Sequence, residues 1–233
     1  MRVAIIPARG GSKRIPRKNI RTFCSKPMIS WSIDAARKSD CFDRVIVSTD
    51  DEDIAAVARQ YGAETPFARP KELSGDHTPT IPVISHAIAW LQAHDVAPDF
   101  VCCIYATAPF LSPDDLRAGV ALLEEKNLDY VFSGTRFSFP IQRALKMGLD
   151  GRVSMFHPEH FNTRSQDLEE AFHDAGQFYW GRVNAWTEGL PIFSANSAII
   201  QLPSWRVQDI DTEEDWLRAE KLFNANDRRG DSR

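Results

Sequence analysis

Short apolar segments with strand character alternate with amphipathic helical segments along the first 134 residues of the chain. The strand patterns occupy residues 3–7, 44–49, 100–107 and 130–134, and the helical patterns occupy residues 28–38, 54–61 and 81–91. Ser112-Pro113 predicts the start of a further helix, since it places a capping side chain before a proline. Alternation of this kind is typical of βαβ units, so the sequence predicts an α/β fold with a mostly parallel sheet and helices on both faces.

The chain of 233 residues has the length of one domain, and we assign residues 1–233 to a single domain. The alternation stops at residues 137–174, where Gly148-Leu149-Asp150-Gly151 predicts a hairpin turn. We interpret residues 137–174 as an insertion that is too irregular to bury its apolar side chains alone, and we expect it to form the contact of a twofold homodimer. Strand patterns resume at residues 177–179 and 206–210, and a closing helix is predicted at residues 212–223.

Charge and hydropathy argue against several classes of protein. The chain has 28 Lys and Arg against 32 Asp and Glu, whereas proteins that bind nucleic acid through phosphate contacts are normally basic. No apolar run approaches the length of a membrane helix, and the N-terminal segment lacks the pattern of a signal peptide. We therefore expect a cytoplasmic protein that binds neither nucleic acid nor membranes.

A basic, glycine-containing segment follows the first predicted strand, and it reads Ala8-Arg9-Gly10-Gly11-Ser12-Lys13-Arg14-Ile15-Pro16-Arg17-Lys18-Asn19. Ligands of parallel sheets bind beyond the carboxyl ends of the strands. Glycines let backbone N–H groups approach a phosphate, and the basic side chains supply positive charge, so the segment predicts a nucleoside triphosphate site. It matches neither the Walker A nor the Gly-x-Gly-x-x-Gly pattern, and taken alone it is also compatible with a solvated turn.

Two aspartates, Asp209 and Asp211, lie where the last predicted strand meets the closing helix. Alternation along a strand would put both carboxylates on one face, close enough to share one Mg²⁺ ion. Helix capping is the alternative, because Asp is favoured at helix N-termini. The basic segment favours the metal site, since a nucleoside triphosphate binds together with Mg²⁺.

Residues 5–20 resemble the opening motif of the cytidylyltransferases that activate sialic-acid-like sugars. The resemblance continues through residues 42–50 and Arg69-Pro70-Lys71-Glu72-Leu73 and ends at residues 209–213, so it covers nearly the whole chain. It implies a Rossmann-like nucleotide-diphospho-sugar transferase fold with residues 137–174 as the dimerisation element. It also implies the reaction, in which the anomeric hydroxyl of a nonulosonic acid attacks the α-phosphorus of CTP in line and pyrophosphate leaves.

The resemblance carries over to single residues. It implies catalytic roles for Arg9, Lys18, Asp209 and Asp211, the two aspartates also being the Mg²⁺ ligands. The implied CTP-binding residues are Ala8, Arg9, Gly10, Gly11, Ser12, Lys18, Asn19, Arg69, which would help to read the cytosine, and Asp76. The implied sugar-binding residues are Tyr105, Thr107, Arg164, Gln166, Gln177 and Tyr179.

One segment departs from the sialic acid branch of this family and indicates which branch the chain resembles. Where the sialic acid branch has Leu-Gln-Pro-Thr-Ser-Pro, this chain reads Ile104-Tyr105-Ala106-Thr107-Ala108-Pro109. Together with residues 173–181, this segment is similar to the pseudaminic acid branch and implies CMP-pseudaminic acid as the product. CMP-sialic acid, CMP-legionaminic acid and CMP-Kdo are the alternative products, and a nucleotide-binding sensor without turnover is the alternative of a different class.

Overall fold

A computed structural model describes residues 1–230 of the chain. The strands are β1 (Arg2–Pro7), β2 (Thr22–Phe23), β3 (Lys26–Pro27), β4 (Arg44–Ser48), β5 (Phe100–Ile104), β6 (Tyr130–Arg136), β7 (Leu145–Met147), β8 (Val153–Met155), β9 (Phe172–Arg182) and β10 (Ser197–Gln201). The α-helices are α1 (Met28–Lys38), α2 (Glu52–Gln60), α3 (Thr80–Gln92), α4 (Pro113–Glu125), α5 (Val183–Thr187) and α6 (Glu213–Gly230).

Local sequence signals explain where two of the helices begin. Asp51 caps α2 by accepting a hydrogen bond from the Ile54 amide at 3.0 Å. Ser112 caps α4 by accepting from the Asp114 amide at 3.2 Å, and Pro113 is the first residue of that helix, as predicted. These signals act over three or four residues, so a single sequence contains all the information that they need.

Six of the strands form one sheet, in the order β10-β6-β9-β5-β1-β4. β1 pairs in parallel with β4 and β5, and β10 pairs in parallel with β6. β9 lies between β5 and β6 and is antiparallel to both. The predicted α/β fold with a mostly parallel sheet is confirmed, and β9 separates two parallel blocks, β4-β1-β5 and β6-β10.

Side chains of β1 alternate between the two faces of the sheet. Ile6 belongs to a buried cluster that includes Ile33 of α1, whereas Ile5 belongs to a second cluster that includes Ile84 of α3. Helices therefore cover both faces, as predicted. A third cluster buries Trp216 of α6 beside the basic segment.

The strand predicted at residues 206–210 is wrong. Ser204–Arg206 form a single 3₁₀ turn after Pro203, and residues 207–211 are irregular. The place beside β6 at the sheet edge is taken by β10, which the sequence analysis did not predict. Asp209 and Asp211 therefore stand on an irregular segment, and strand alternation does not explain their relative orientation.

The closing helix extends beyond its predicted end at residue 223, since α6 continues to Gly230. At its start the Asp215 amide donates to Thr212 Oγ1 at 3.2 Å, and the Thr212 amide donates to Asp215 Oδ2 at 2.9 Å. This reciprocal pairing is of the capping-box type. No helix within residues 1–230 combines the length and apolar character needed to cross a bilayer.

Residues 137–171, called the insertion below, connect β6 to β9 and contain the predicted hairpin as β7 and β8. Residues 172–174, the end of the segment assigned from the sequence, are part of β9. The exposed large apolar side chains of the insertion are Phe137, Phe139, Ile141, Leu145, Met147, Leu149, Val153, Phe156 and Phe161. Exposed apolar surface of this extent is typical of interaction sites. The homodimer stays a prediction.

Candidate active site

A cleft of about 510 Å³ opens where β1 and β5 end. These are neighbouring parallel strands, and their carboxyl ends form the edge at which α/β sheets bind ligands. The lining residues are Pro7, Arg9, Ser12, Lys13, Arg14, Lys18, Asn19, Arg69, Asp76, His77, Thr80, Tyr105, Ala106, Thr107 and Asp211. Residues predicted separately from the basic segment, from Arg69 and from the segment after β5 thus share one cavity.

Two cations of the basic segment converge on a single carboxylate. Arg9 and Lys13 both form ion pairs with Asp76, which lies shortly before α3. Their charges and hydrogen bonds lower the pKa of Asp76 to about 2. The same two side chains would attract an anionic group of a ligand, such as a phosphate.

Two other cations of the segment converge on Asp211. Arg14 Nη2 lies 2.8 Å from Asp211 Oδ2, and Lys18 Nζ lies 3.3 Å from Asp211 Oδ1. Lys18 Nζ also donates to the Ile210 carbonyl at 2.7 Å, and its side chain is largely buried. These ion pairs therefore connect the basic segment after β1 with the segment before α6 across the cleft.

The turn that presents these cations is fixed from behind. Asn19 Nδ2 donates to the Arg9 carbonyl at 2.9 Å, and the Gly10 amide donates to Asp50 Oδ1 at 3.0 Å. A Cβ atom at residue 10 would lie 2.6 Å from Oδ2 and 2.9 Å from Cβ of Asp51, the residue that caps α2, so the close approach of the backbone to this cap favours glycine. The amide of Gly10 therefore stabilises the fold. The residues of the segment that line the cleft are Arg9, Ser12, Lys13, Arg14, Lys18 and Asn19, whereas the predicted CTP-binding residues Ala8, Gly10 and Gly11 do not line it.

Arg69 is the buried cation of the site. Its side chain is 5% exposed, its nearest carboxylate is Asp50 at 4.0 Å, and burial lowers its pKa. Its Nε and Nη2 atoms have no hydrogen-bond partner among the described residues. Buried donors without partners are costly, so this guanidinium fits a ligand that brings hydrogen-bond acceptors into the cleft.

Of the predicted metal pair, Asp211 lines the cleft and forms ion pairs with Arg14 and Lys18, whereas Asp209 does not line it. Burial and the negative charge of Asp211 raise the pKa of Asp209. Thr212 and Asp215 supply the hydrogen bonds at the start of α6, which removes the main argument for a capping role of Asp209 and Asp211. Two neighbouring carboxylates that repel each other fit a divalent cation that takes its remaining ligands from phosphates and water. Within residues 1–230, no group of three or more His, Cys, Asp and Glu side chains is arranged to hold an ion by itself.

The predicted sugar-binding residues fall into three places. Tyr105 and Thr107 line the cleft. Gln177 and Tyr179 lie behind it on β9, each 3% exposed, with Gln177 Nε2 donating to the Arg206 carbonyl at 2.6 Å. Arg164 and Gln166 are exposed in the insertion and do not line the cleft of their own chain. Their role as sugar ligands stays a prediction.

Four polar or charged lining residues were not assigned to the site from the sequence. Lys13 and Arg14 belong to the basic segment, so its charge pattern alone could have identified them. His77 and Thr80 lie in and after the loop before α3, and only the fold brings that loop to the cleft.

Comparisons with known proteins agree on one family. A family model described as Cytidylyltransferase matches residues 3–200 of the chain. The pseudaminic acid cytidylyltransferase of Campylobacter jejuni subsp. jejuni serotype O:2 is 46% identical over 224 residues, which cover 96% of this chain and 97% of that protein. The CMP-N,N'-diacetyllegionaminic acid synthase of Legionella pneumophila subsp. pneumophila is 32% identical over 231 residues, covering 96% and 97%.

A solved structure supports the fold. CMP:2-keto-3-deoxy-manno-octonic acid synthetase complexed with CTP matches 97% of this chain and 99% of its own chain, with a TM-score of 0.70 and 17% sequence identity. At that identity the likeness concerns the architecture alone.

Proposed function

The chain belongs to the cytidylyltransferase family, and on that premise we propose that it converts CTP and pseudaminic acid into CMP-pseudaminic acid and pyrophosphate. The relative that is 46% identical over nearly the full length of both chains carries the name of that activity. CMP-legionaminic acid is the second candidate product, because the Legionella relative matches over a similar span at lower identity.

The observation that carries the nucleotide part of the proposal is the buried guanidinium of Arg69 at the wall of a basic cleft, whose Nε and Nη2 atoms have no hydrogen-bond partner among the described residues. A cytosine offers two adjacent acceptors, a carbonyl oxygen and a ring nitrogen, to such a donor. Arg9, Lys13, Arg14 and Lys18 line the same cleft and supply positive charge for the triphosphate. One cavity thus accommodates both ends of CTP.

The proposed reaction is one displacement at phosphorus. A bond forms between the anomeric hydroxyl oxygen of the sugar acid and the α-phosphorus, the bond from that phosphorus to the pyrophosphate oxygen breaks, and the proton of the hydroxyl group passes to water. Negative charge develops on the phosphoryl and leaving-group oxygens, and cations already in place stabilise it. Arg9 and Lys18 are the residues to which we assign this role.

We assign Mg²⁺ to Asp209 and Asp211. The raised pKa of Asp209 beside Asp211 supports the assignment, because a divalent cation between the two carboxylates would relieve their repulsion. The ion, when bound, would stabilise the negative charge that develops on the phosphate oxygens. Without it, Lys18 and Arg14 hold Asp211 in place.

We also propose that the chain works as a homodimer formed through the insertion. The exposed apolar side chains of residues 137–161 support this, since they find no cover within residues 1–230. A cytoplasmic location stays a prediction from the sequence.

A direct assay tests the activity. Purified protein, CTP and Mg²⁺ are incubated with pseudaminic acid, legionaminic acid, N-acetylneuraminate and Kdo in turn, and both the CMP-sugar and pyrophosphate are quantified. We expect the highest kcat/KM with pseudaminic acid. A higher kcat/KM with another acid would overturn the substrate while keeping the reaction, and CTP binding without pyrophosphate release from any acid would favour the sensor alternative.

A further inference from the structure

Gln177 of β9 connects two segments that form the cleft, although it does not line the cleft itself. Its backbone carbonyl accepts a hydrogen bond from the amide of Tyr105, at 2.9 Å, and Tyr105 lines the cleft after β5. Its side-chain Nε2 donates to the Arg206 carbonyl at 2.6 Å, shortly before Asp209 in the chain. One residue of the sheet therefore holds both the segment after β5 and the segment that carries the predicted Mg²⁺ ligands.

The orientation of the Gln177 side chain is set by an irregularity in β9. The register between β6 and β9 shifts between Phe132 and Gly134, so this part of β9 leaves its regular pairing with β6. Ser133 Oγ replaces a strand partner there, since it accepts hydrogen bonds from the amides of Gln177 at 3.1 Å and Phe178 at 3.2 Å. Irregularities of this kind redirect side chains next to active sites, and here the redirected side chain is that of Gln177.

The Gln177 amide is buried, and only one of its two polar atoms has a partner. The residue is 3% exposed, and its Oε1 atom has no hydrogen-bond partner within residues 1–230. A buried polar atom without a partner destabilises the fold. Because Oε1 is enclosed and the residue does not line the cleft, a contact with the sugar does not account for the amide. The contact that remains is the hydrogen bond to the Arg206 carbonyl.

The segment that follows Arg206 is held by side chains, because residues 207–211 are irregular and join no strand. At its beginning, the Arg206 guanidinium forms an ion pair with Asp115 of α4, and both side chains are largely buried. At its other end, Lys18 Nζ donates to a backbone carbonyl at 2.7 Å. Asp209 stands between these two attachments, so loosening the attachment at Arg206 would displace its carboxylate.

We propose that Gln177 is a positioning residue, which fixes the relative position of the two predicted Mg²⁺ ligands by holding the Arg206 carbonyl. The inference rests on the proposed function, in which Asp209 and Asp211 bind Mg²⁺. It names a residue that controls the metal site without touching the ion, CTP or the sugar acid. A direct contact with the sugar, which the family resemblance implies for Gln177, is the competing role.

The variant Gln177→Met tests the proposal, because it keeps the length of the side chain, removes the donor to Arg206 and leaves the backbone contact with Tyr105. The Mg²⁺ concentration for half-maximal activity should rise about three- to tenfold, as expected for the loss of one hydrogen bond. The KM for the sugar acid at saturating Mg²⁺ should stay unchanged. Gln142→Met is the matched control, since Gln142 Nε2 also donates to a backbone carbonyl and its Oε1 also lacks a partner within residues 1–230, but it does not line the cleft.

A binding measurement tests the same point without turnover. With CTP present and the sugar acid left out, the midpoint of thermal unfolding should rise with Mg²⁺ concentration, because an ion that binds the folded protein stabilises it. Gln177→Met should need about three- to tenfold more Mg²⁺ than the wild type for half of that rise. A lower midpoint with an unchanged Mg²⁺ dependence would show a structural role and overturn the inference.

A second variant acts on the same segment from another side. Asp115→Asn weakens the attachment of Arg206 to α4 and should shift the Mg²⁺ dependence in the same direction. It tests the inference even if Gln177→Met does not fold. A higher KM for the sugar acid at an unchanged Mg²⁺ requirement in Gln177→Met would identify a sugar ligand and overturn the inference.

Asp211→Asn distinguishes the failure of this inference from the failure of the proposed function. If Asp211→Asn keeps the wild-type Mg²⁺ dependence, the metal assignment is wrong and this inference falls with it. If Asp211→Asn raises the Mg²⁺ requirement while the folded variants among Gln177→Met and Asp115→Asn keep the wild-type dependence, this inference alone is overturned.

Discussion

Charged side chains at the cleft are paired within the chain, whereas apolar side chains of the insertion are exposed to solvent. At the cleft, cations that begin far apart in the sequence meet carboxylates, as Lys13 meets Asp76 and Arg14 meets Asp211. In the insertion, large apolar side chains such as Phe139 and Leu149 stay in contact with solvent. The cleft is built by the sheet, since its residues follow β1 and β5, whereas the insertion leaves the sheet between β6 and β9.

This difference separates a region whose side chains find partners within the chain from a region whose side chains do not. At the cleft, Asp76 and Asp211 neutralise part of the positive charge, so a ligand there exchanges some existing contacts and uses the excess of cations for the rest. The apolar side chains of the insertion lack such partners within residues 1–230, and we propose that a second copy of the chain covers them. Changes at the cleft should therefore affect turnover, and changes in the insertion should affect assembly.

The largest effect is expected from the carboxylates at the cleft. Asp211→Asn removes one negative charge next to Asp209, Lys18 and Arg14, and kcat/KM should fall at least about 100-fold, with a higher Mg²⁺ requirement. Glu213→Gln is the control, since Glu213 pairs with Arg21 and does not line the cleft. A variant with wild-type turnover and a free energy of unfolding lower by about 0.5–2 kcal/mol would instead indicate a helix cap.

The next effect concerns single cations of the basic segment. Arg9→Ala and Lys18→Ala should each reduce kcat/KM at least about tenfold, because each removes a charge-assisted contact to the triphosphate. Arg17→Gln removes a charge from the same segment, but Arg17 pairs with Asp53 outside the cleft, so its turnover should match the wild type. Equal losses in all three variants would mean that net charge, and not the cleft geometry, is what the segment contributes.

A smaller effect should separate the insertion from the rest of the surface. Leu149→Ser removes an exposed apolar side chain of the insertion, and the dimer dissociation constant from light scattering should rise about tenfold. Leu217→Ser makes the same change at an exposed position of α6 and should leave assembly unchanged. A wild-type monomer at micromolar concentration would contradict the assignment of the insertion to an interface.

The smallest effect is a titration at the cleft. Because Lys13 and Arg9 lower the pKa of Asp76 to about 2, the ion pairs stabilise the fold above the ordinary Asp pKa of about 3.9. That contribution is lost as the pH falls through about 2. Lys13→Ala should raise the pKa of Asp76, which carboxyl NMR signals can follow. An unchanged titration would show that Arg9 alone determines it.

Elements set by local signals could be predicted from the sequence, and those set by distant pairing could not. The start of α4 at Pro113 and the bounds of α1 follow from residues next to one another. The basic segment was identified as a ligand site because it follows a strand, and the structure places Arg9 and Lys18 in the cleft. The strand at residues 206–210 was wrong because a β-branched pattern near Asp209 does not reveal that β10 already occupies the sheet edge.

Tyr105 and Tyr179 show the same limit within the site. Both could be assigned to the sugar region by resemblance, yet only Tyr105 lines the cleft. The pairing of β9 with β5 sets Tyr179 opposite Cys103 and behind the cleft wall, and no local sequence pattern contains that pairing.

The antiparallel β9 also sets the order in which the molecule can be completed. β5 and β6 follow one another along the chain as strands of the central sheet, yet they do not pair with each other. β9 lies between them and pairs with both, and it is synthesised only after the whole insertion. A nascent chain that ends before residue 172 therefore contains the block β4-β1-β5 and the strand β6, but not the strand that pairs with both β5 and β6. The edges of β5 and β6 are then unpaired, a state open to mispairing. The insertion is synthesised during that interval, so its exposed apolar side chains are present before the sheet is continuous.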